Sequence, residues 1–402
     1  MTKATSTALA LLCLMGLLML AMTSYHEVRA LNDMNVYRRI SADISKNRET
    51  GVLQSEYPPL ASSFFWIVER QPFIRAFALS WFVAIFLAVV FGCIYAARRL
   101  QPIDILSFPA ALLGSAVLLG PELHFGDYDV FVALFLFFAW RTHQRKLFAD
   151  SGGFLAVAGF LKLVPFIVAP VLYLLTPRNE RRKFLRGFLV GTAVSVVIPL
   201  LVLGPSMTIA NTRHMLAYHG GRGIQAETTW SGLDILYRAV IGEISTMDPR
   251  AGGYDNISIS PHIVIVSLLV SVAGILFLIW WAWKKRGSSN VDQSLPFFLS
   301  FLWLFGFGSV LSPQYFVWIL PLMFVWGLEG LWSKTSLVWS TAFLLTLAVL
   351  AMCTQWIFPL HYYEFLNQNN LFNTAVFTVR NVAMFVLMGL LLWRMTRVSS
   401  PQ

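Results

Sequence analysis

The sequence predicts an all-α integral membrane protein: a polytopic bundle of about 10–12 membrane segments, with one broken helix hairpin and two long loops on the outer face. Three observations lead there. Of the 402 residues, 57% are hydrophobic and only 12% charged, about half the charged share of a soluble domain. Mean hydropathy is +0.66. Apolar runs recur along the whole chain, most of them close to the roughly 20 residues that a helix needs to cross hydrocarbon. The 14 Trp and 33 Phe suit helices that meet lipid and its interface. Cys13, Cys93 and Cys353 lie far apart inside apolar runs, where they read as packing residues and not as a disulfide or metal framework. The formal charge of +10 contains no basic run interleaved with aromatics, which argues against a nucleic-acid partner.

The elements follow in order. Residues 5–24 form a first helix that stays attached: Ala8 to Met22 is long for a signal peptide, and Tyr25-His26-Glu27 is a poor cleavage site. The polar stretch 31–61 comes next. In it Met34, Tyr37, Ile40 and Ile44 draw an apolar stripe along a short helix lying in the interface, with Arg38, Arg39 and Lys46 beside it. Apolar segments at 75–97, 103–120 and 127–140 are followed by 152–163 and 165–176, which read as a pair. A single helix through both would place Lys162 at its centre, at a cost of about 2.5–3.5 kcal/mol. Pro165 would also remove a backbone donor from it. Two half-helices meeting at Lys-Leu-Val-Pro avoid both problems, provided the break lies in protein or water. Segments 184–204, 259–284, 293–311, 314–331, 336–357 and 372–394 complete the bundle.

Basic residues choose between the two readings. With the hairpin, most Lys and Arg fall on the side of the two termini; a single span puts most of them on the other side. The positive-inside rule therefore predicts cytoplasmic termini and loops 25–74 and 205–258 outside. Most acidic residues fall on that outer side, so the working face is expected there, on one polytopic domain spanning 1–402.

Candidate residues cluster on the same side. Asp33 stands at the start of the interfacial helix, where it is either an N-cap or a general base held above the lipid boundary. In PELHFGDYDV (121–130), Glu122, His124, Asp127 and Asp129 gather at one helix mouth. Asp127-Tyr128-Asp129 fits a loose Asp-x-Asp metal pattern, although a cap is an equal reading for Asp129 and the better one for Asp127. Lys162 at the helix break is a candidate phosphate ligand, with snorkelling as the alternative. The loop YHGGRGIQAETTWSGLD (218–234) concentrates His219, Arg222, Gln225 and Glu227, donors and acceptors suited to sugar hydroxyls and a phosphate. Its rival reading is a solvated glycine turn. LSPQY brings Gln314 and Tyr315 to the outer face, and His361, Tyr362, Tyr363 and Glu364 follow the eleventh segment. Arg380, inside the last segment, seeks either an anion or a backbone carbonyl.

Six stretches together resemble the GT-C membrane glycosyltransferases, and more narrowly glycosyltransferase family 87: LNDMNVY, EYPPL, DYDVFVAL, AGFLKLVP, RGIQAET and LSPQYFVWILPL, in the family's order over residues 31–325. The resemblance implies a polyprenyl-phosphate sugar donor, with mannose the commonest sugar, and a glycolipid or glycan acceptor. It implies Asp33 as the base that deprotonates the acceptor, and inversion at the anomeric carbon. From the residues themselves, Lys162 and Arg222 are the candidates to steady the departing phosphate; Tyr37, Glu56, Tyr57, Asp129, His219, Gln225, Glu227 and Gln314 are the expected substrate contacts, and His361, beyond the matching stretches, joins them on its chemistry alone. Where the family pattern often has Arg before Tyr-Asp, this chain has Asp127. No cofactor is expected, no nucleotide-binding Gly-rich loop is visible, and a divalent metal has no support beyond the Asp-x-Asp match. The expected setting is the cytoplasmic membrane, with chemistry on its outer side. A transporter or flippase of lipid-linked saccharides would also carry a broken helix with charge at depth; against it stand two long polar loops on one face and no visible internal repeat. A non-enzymatic scaffold is the third reading, and substituting Asp33 would then change only stability.

Overall fold

The computed structural model describes residues 2–23, 32–70, 77–120, 127–250, 253–286, 291–332, 337–367 and 371–398. The chain is an all-α polytopic membrane protein: the apolar runs become helices, and seven helices among the described residues are long and apolar enough to cross a membrane. Backbone contacts divide it into two compact units, residues 1–169 with 176–221, and residues 170–175 with 222–402.

The first unit contains α1 (Lys3–Thr23), α2 (Asn32–Lys46), α3 (Pro59–Arg70), α4 (Phe77–Arg99), α5 (Pro102–Leu119), α6 (Asp129–Gln144) and α7 (Phe148–Leu161). After the break come α9 (Arg181–Val202) and α10 (Pro205–Gly220). The stripe expected on α2 is present: Met34, Tyr37, Ile40 and Ile44 are buried, and Arg38, Arg39 and Lys46 are exposed. At Lys162 the helix gives way to extended backbone (φ −150°, ψ 126°), and a 3-10 turn, Val164–Val168, starts on the expected proline. The chain then reverses, because the Thr176 hydroxyl returns to His143 Nε2 at 3.0 Å, just ahead of α7. Helices α7 and α9 meet through glycines. A Cβ on Gly187 would fall 1.8 Å from the Ala149 carbonyl oxygen, and one on Gly152 would fall 2.2 Å from that of Phe184. Close approach of small residues is how helices associate where lipid removes the hydrophobic driving force.

Residues 205–258, expected as one long loop, are folded. Pro205 opens α10, and α11 (Thr229–Ile241) begins at Thr228, whose hydroxyl accepts from Ser231 N at 3.2 Å. A short antiparallel ribbon follows, β1 (Met247–Arg250) with β2 (Gly253–Asn256). These two strands were invisible as sequence, because each is only four residues long and β1 contains a proline. The second unit continues with α12 (Pro261–Lys284), α13 (Ser294–Phe307), α14 (Phe316–Trp332), α15 (Leu337–Gln355), α16 (Tyr362–Asn367) and α17 (Leu371–Val398). The short helix between the half-turns, α8 (Ala169–Leu175), falls almost wholly in this unit. Ala226, Ile235, Ile357, Phe365, Leu366 and Phe377 form a core that ties α11, α16 and α17 to the 222–228 loop.

Candidate functional site

Each unit carries one constellation of the expected residues. In the first, Tyr37 is the hub. Its ring stacks on Phe65 at 4.3 Å and meets Tyr57 edge-on at 5.5 Å and Tyr128 at 5.8 Å. Its hydroxyl donates to Asp127 Oδ1 through a short bond. Tyr37, fully buried, therefore serves to seat α2. Asp33 lies in the first turn of that helix, four residues ahead of Tyr37; its side chain is outside the described residues, as are Glu122 and His124. The helix already includes Asn32, so Asp33 sits inside the first turn and not at its flanking position.

Lys162 has a partner that the sequence did not name. Its ammonium lies 3.0 Å from each oxygen of Asp129 and 4.6 Å above the Tyr128 ring. Asp129 is fully buried, and the Lys162 side chain is 16% exposed. A carboxylate and an ammonium that would each be costly at hydrocarbon depth thus neutralise one another. Lys162 neither snorkels nor stands as a lone charge. The two carboxylates of the Asp-x-Asp pattern part company, Asp127 toward Tyr37 and Asp129 toward Lys162. Among the described residues no three His, Cys, Asp or Glu converge as metal ligands.

Glu56 and Tyr57, in the Tyr-Pro-Pro stretch, are fixed from α10. Asn211 Nδ2 donates to the carbonyls of Ser55 at 3.1 Å and Tyr57 at 3.0 Å, and His219 Nε2 reaches the Glu56 carbonyl at 3.1 Å. A carbonyl only accepts, so Nε2 carries the hydrogen. Sequence reasoning passed over Asn211, which no local pattern distinguishes. Beside Tyr128 opens an apolar groove of about 610 Å³, walled by side chains such as Phe91, Phe131, Phe138 and Phe154 and reaching to Tyr95.

In the second unit the loop 222–228 is a hub of backbone bonds. Gln225 N donates to Ser309 O at 2.9 Å, Ala226 N to Tyr254 O at 2.8 Å, and Asn256 N to Ile224 O at 2.7 Å. The loop so lies beside the β ribbon, and the solvated-turn reading fails for its second half: residues 219–221 are exposed, but Gln225 and Glu227 are each 2% exposed. Tyr362 donates a short bond to Glu227 Oε1. Burial pushes the Glu227 carboxyl above its ordinary range, against the pull of Tyr362, its own backbone, Arg380 and Arg222. Burial, then the neighbouring Glu227 charge, pushes the Tyr362 phenol up. Arg222 is half-buried on the same loop. Arg380 takes the carbonyl option: its guanidinium donates to the Glu227 main-chain oxygen and, at 2.7 Å, to Asn381 Oδ1. Gln314 accepts the Ser312 hydroxyl at 2.6 Å, and His361 pairs with Glu364 at 3.1 Å while packing on the Trp356 ring.

A search of curated proteins gives no match. The sequence profile of glycosyltransferase family 87 matches residues 56–313, taking in the Tyr-Pro-Pro stretch, Tyr128-Asp129, the Lys162 break and the 222–228 loop. The matched region is well over half of the chain; it holds Asp127, Asp129, Lys162 and Glu227, while Asp33, Tyr37, Tyr362 and Arg380 lie outside it. The chain is a multi-pass membrane protein that belongs to glycosyltransferase family 87.

Proposed function

We propose that this glycosyltransferase takes a hexose, mannose by its frequency in the family, from a polyprenyl-phosphate donor. The acceptor is a hydroxyl of a glycolipid or glycan on the outer face of the cytoplasmic membrane. Asp33 removes the acceptor proton as the acceptor oxygen attacks the anomeric carbon. The bond from that carbon to the phosphate oxygen breaks, polyprenyl phosphate leaves with the electron pair, and the anomeric centre inverts. Lys162, oriented by Asp129, supports the negative charge gathering on the leaving phosphate. Arg222 is the second candidate cation, chosen because a departing phosphate needs fixed positive charge.

The observation that carries the lipid-linked donor is the phenylalanine-walled groove, because Tyr128 is one of its lining residues and the Lys162 ammonium lies 4.6 Å from that ring. A hydrocarbon chain suits the walls, and a phosphate suits a nearby cation. The test is transfer of radiolabelled mannose from synthetic polyprenyl-phosphate mannose by membranes containing wild type or Asp33→Asn at matched expression. Asparagine keeps helix-end hydrogen bonding but cannot take a proton, so transfer should fall by at least about 100-fold. Retained transfer would remove Asp33 as the base. Movement of the lipid across the membrane, without sugar transfer by wild type, would favour a flippase.

A further inference from the structure

Arg380 lies nine residues, or about 13 Å, into α17, the last membrane-spanning helix. It is 1% exposed, and among the described residues no carboxylate oxygen lies within 4.0 Å of its guanidinium. A charge at such depth is costly unless its surroundings compensate it. Three groups do so here: the Glu227 main-chain oxygen, the Asn381 side-chain oxygen, and the Phe377 ring 4.2 Å below. One of the three belongs to a loop 153 residues earlier in the chain. Nothing in the fold of α17 itself calls for a guanidinium at that level; an apolar residue would cross the membrane at lower cost.

We infer that Arg380 is a positioning residue: together with Tyr362 it clamps the 222–228 loop, Arg380 holding the main chain of Glu227 and Tyr362 its carboxylate. The two holds come from different elements, α17 and α16, and converge on one residue. Side-chain rotation alone cannot release Glu227 while its own carbonyl is fixed. Its Oε2 is buried and has no hydrogen-bond partner among the described residues, and neither has Gln225 Oε1. The clamp thus keeps two acceptor atoms in place on a loop whose neighbouring amides are tied to Ser309 and Tyr254. The planar fork is used here: Nη2 serves the Glu227 carbonyl, Nε at 3.2 Å and Nη2 at 2.7 Å both reach Asn381 Oδ1, and the guanidinium lies over a ring; a lysine ammonium does not reproduce that two-nitrogen geometry. The charged and titratable groups that act on Glu227 are Tyr362 on α16, Arg380 on α17 and Arg222 on its own loop; Tyr254 on β2 and Tyr363 on α16 act in turn on Tyr362.

That the loop contacts substrate rests on the proposed function; the clamp itself does not. The full-length protein in detergent micelles is compared as wild type, Arg380→Lys, Arg380→Met and Glu227→Gln. Hydrogen exchange is read at the Gln225 and Ala226 amides, and KM and kcat for polyprenyl-phosphate mannose are measured per folded protein. Both Arg380 variants should speed exchange at those amides while α12 keeps its protection. A smaller population of the ordered loop raises the apparent KM in proportion, here by about tenfold, and leaves kcat nearly unchanged. Wild-type exchange rates in both variants would overturn the clamp. Lost protection throughout α12 would make Arg380 merely structural, and so overturn it too. Faster exchange with unchanged KM, and unchanged kinetics in Glu227→Gln, would uphold the clamp and remove the loop from the substrate site.

Discussion

The two units bury charge in opposite ways. In the first, Lys162 is answered by a carboxylate, Asp129, over 33 residues of chain. In the second, Arg380 is answered by a backbone carbonyl, an amide oxygen and a ring, and the nearby carboxylate of Glu227 is engaged by a phenol. A buried ion pair is intolerant of losing either member, because the charge left behind is uncompensated. A cation shared among dipoles transmits position from one element to another, because its partners lie on different stretches of chain. The first arrangement fixes a charge at a helix break; the second fixes a loop.

The comparison breaks most visibly at the ion pair. Lys162→Met leaves Asp129 buried without its cation, and should destabilise the first unit by about 3–5 kcal/mol, read as the shift of an SDS-unfolding midpoint. Asp129→Leu combined with Lys162→Met removes both charges and should recover most of that loss. A double variant that is stable but inactive would separate the structural role of the pair from the chemical role proposed for Lys162. A double variant no more stable than Lys162→Met would mean that the two residues do not act as a pair.

A smaller effect sits at the hub of the same unit. Tyr37→Phe keeps the aromatic packing against Phe65 but leaves Asp127 Oδ1 without its donor. A buried acceptor losing its partner costs about 1–3 kcal/mol. The same assay should show a loss in that range, accompanied by faster proteolysis of α2, whose apolar face would lose its tie to Asp127.

How much of this was legible depended on the range of the signal. The α2 stripe and the break at Lys162 could be read, because period and proline act locally. The two answers to Asp127 and Asp129 could not, since Tyr37 and Lys162 lie 90 and 33 residues away, and no spacing encodes such a pairing. His219 read as a substrate contact; the structure binds it to the Glu56 main chain, a bond indifferent to the side chain of Glu56. The 222–228 loop read as polar and glycine-rich; its burial comes with backbone partners at Tyr254, Asn256 and Ser309 and a side-chain partner, Arg380, 153 residues on. Asp33 was picked by resemblance and by its place at a helix start, and its chemistry is what the transfer assay decides.

The mildest prediction sharpens the contrast from the second unit. Because burial raises the Glu227 carboxyl above the ordinary glutamate value of 4.5, the folded chain holds that proton more tightly than the unfolded chain does. The contribution to stability is therefore complete below about pH 4.5, and is lost as pH rises through the folded value. Wild type should show a melting temperature that declines across that interval. Glu227→Gln, which stays neutral and can still accept from Tyr362, should flatten that part of the profile. Tyr362→Phe should extend the decline to higher pH, since Tyr362 is the strongest of the influences that favour the ionised form. A wild-type profile already flat, or one unchanged by Glu227→Gln, would mean that the surroundings of Glu227 compensate its charge as fully as Lys162 does that of Asp129, and the contrast between the two units would be one of geometry alone.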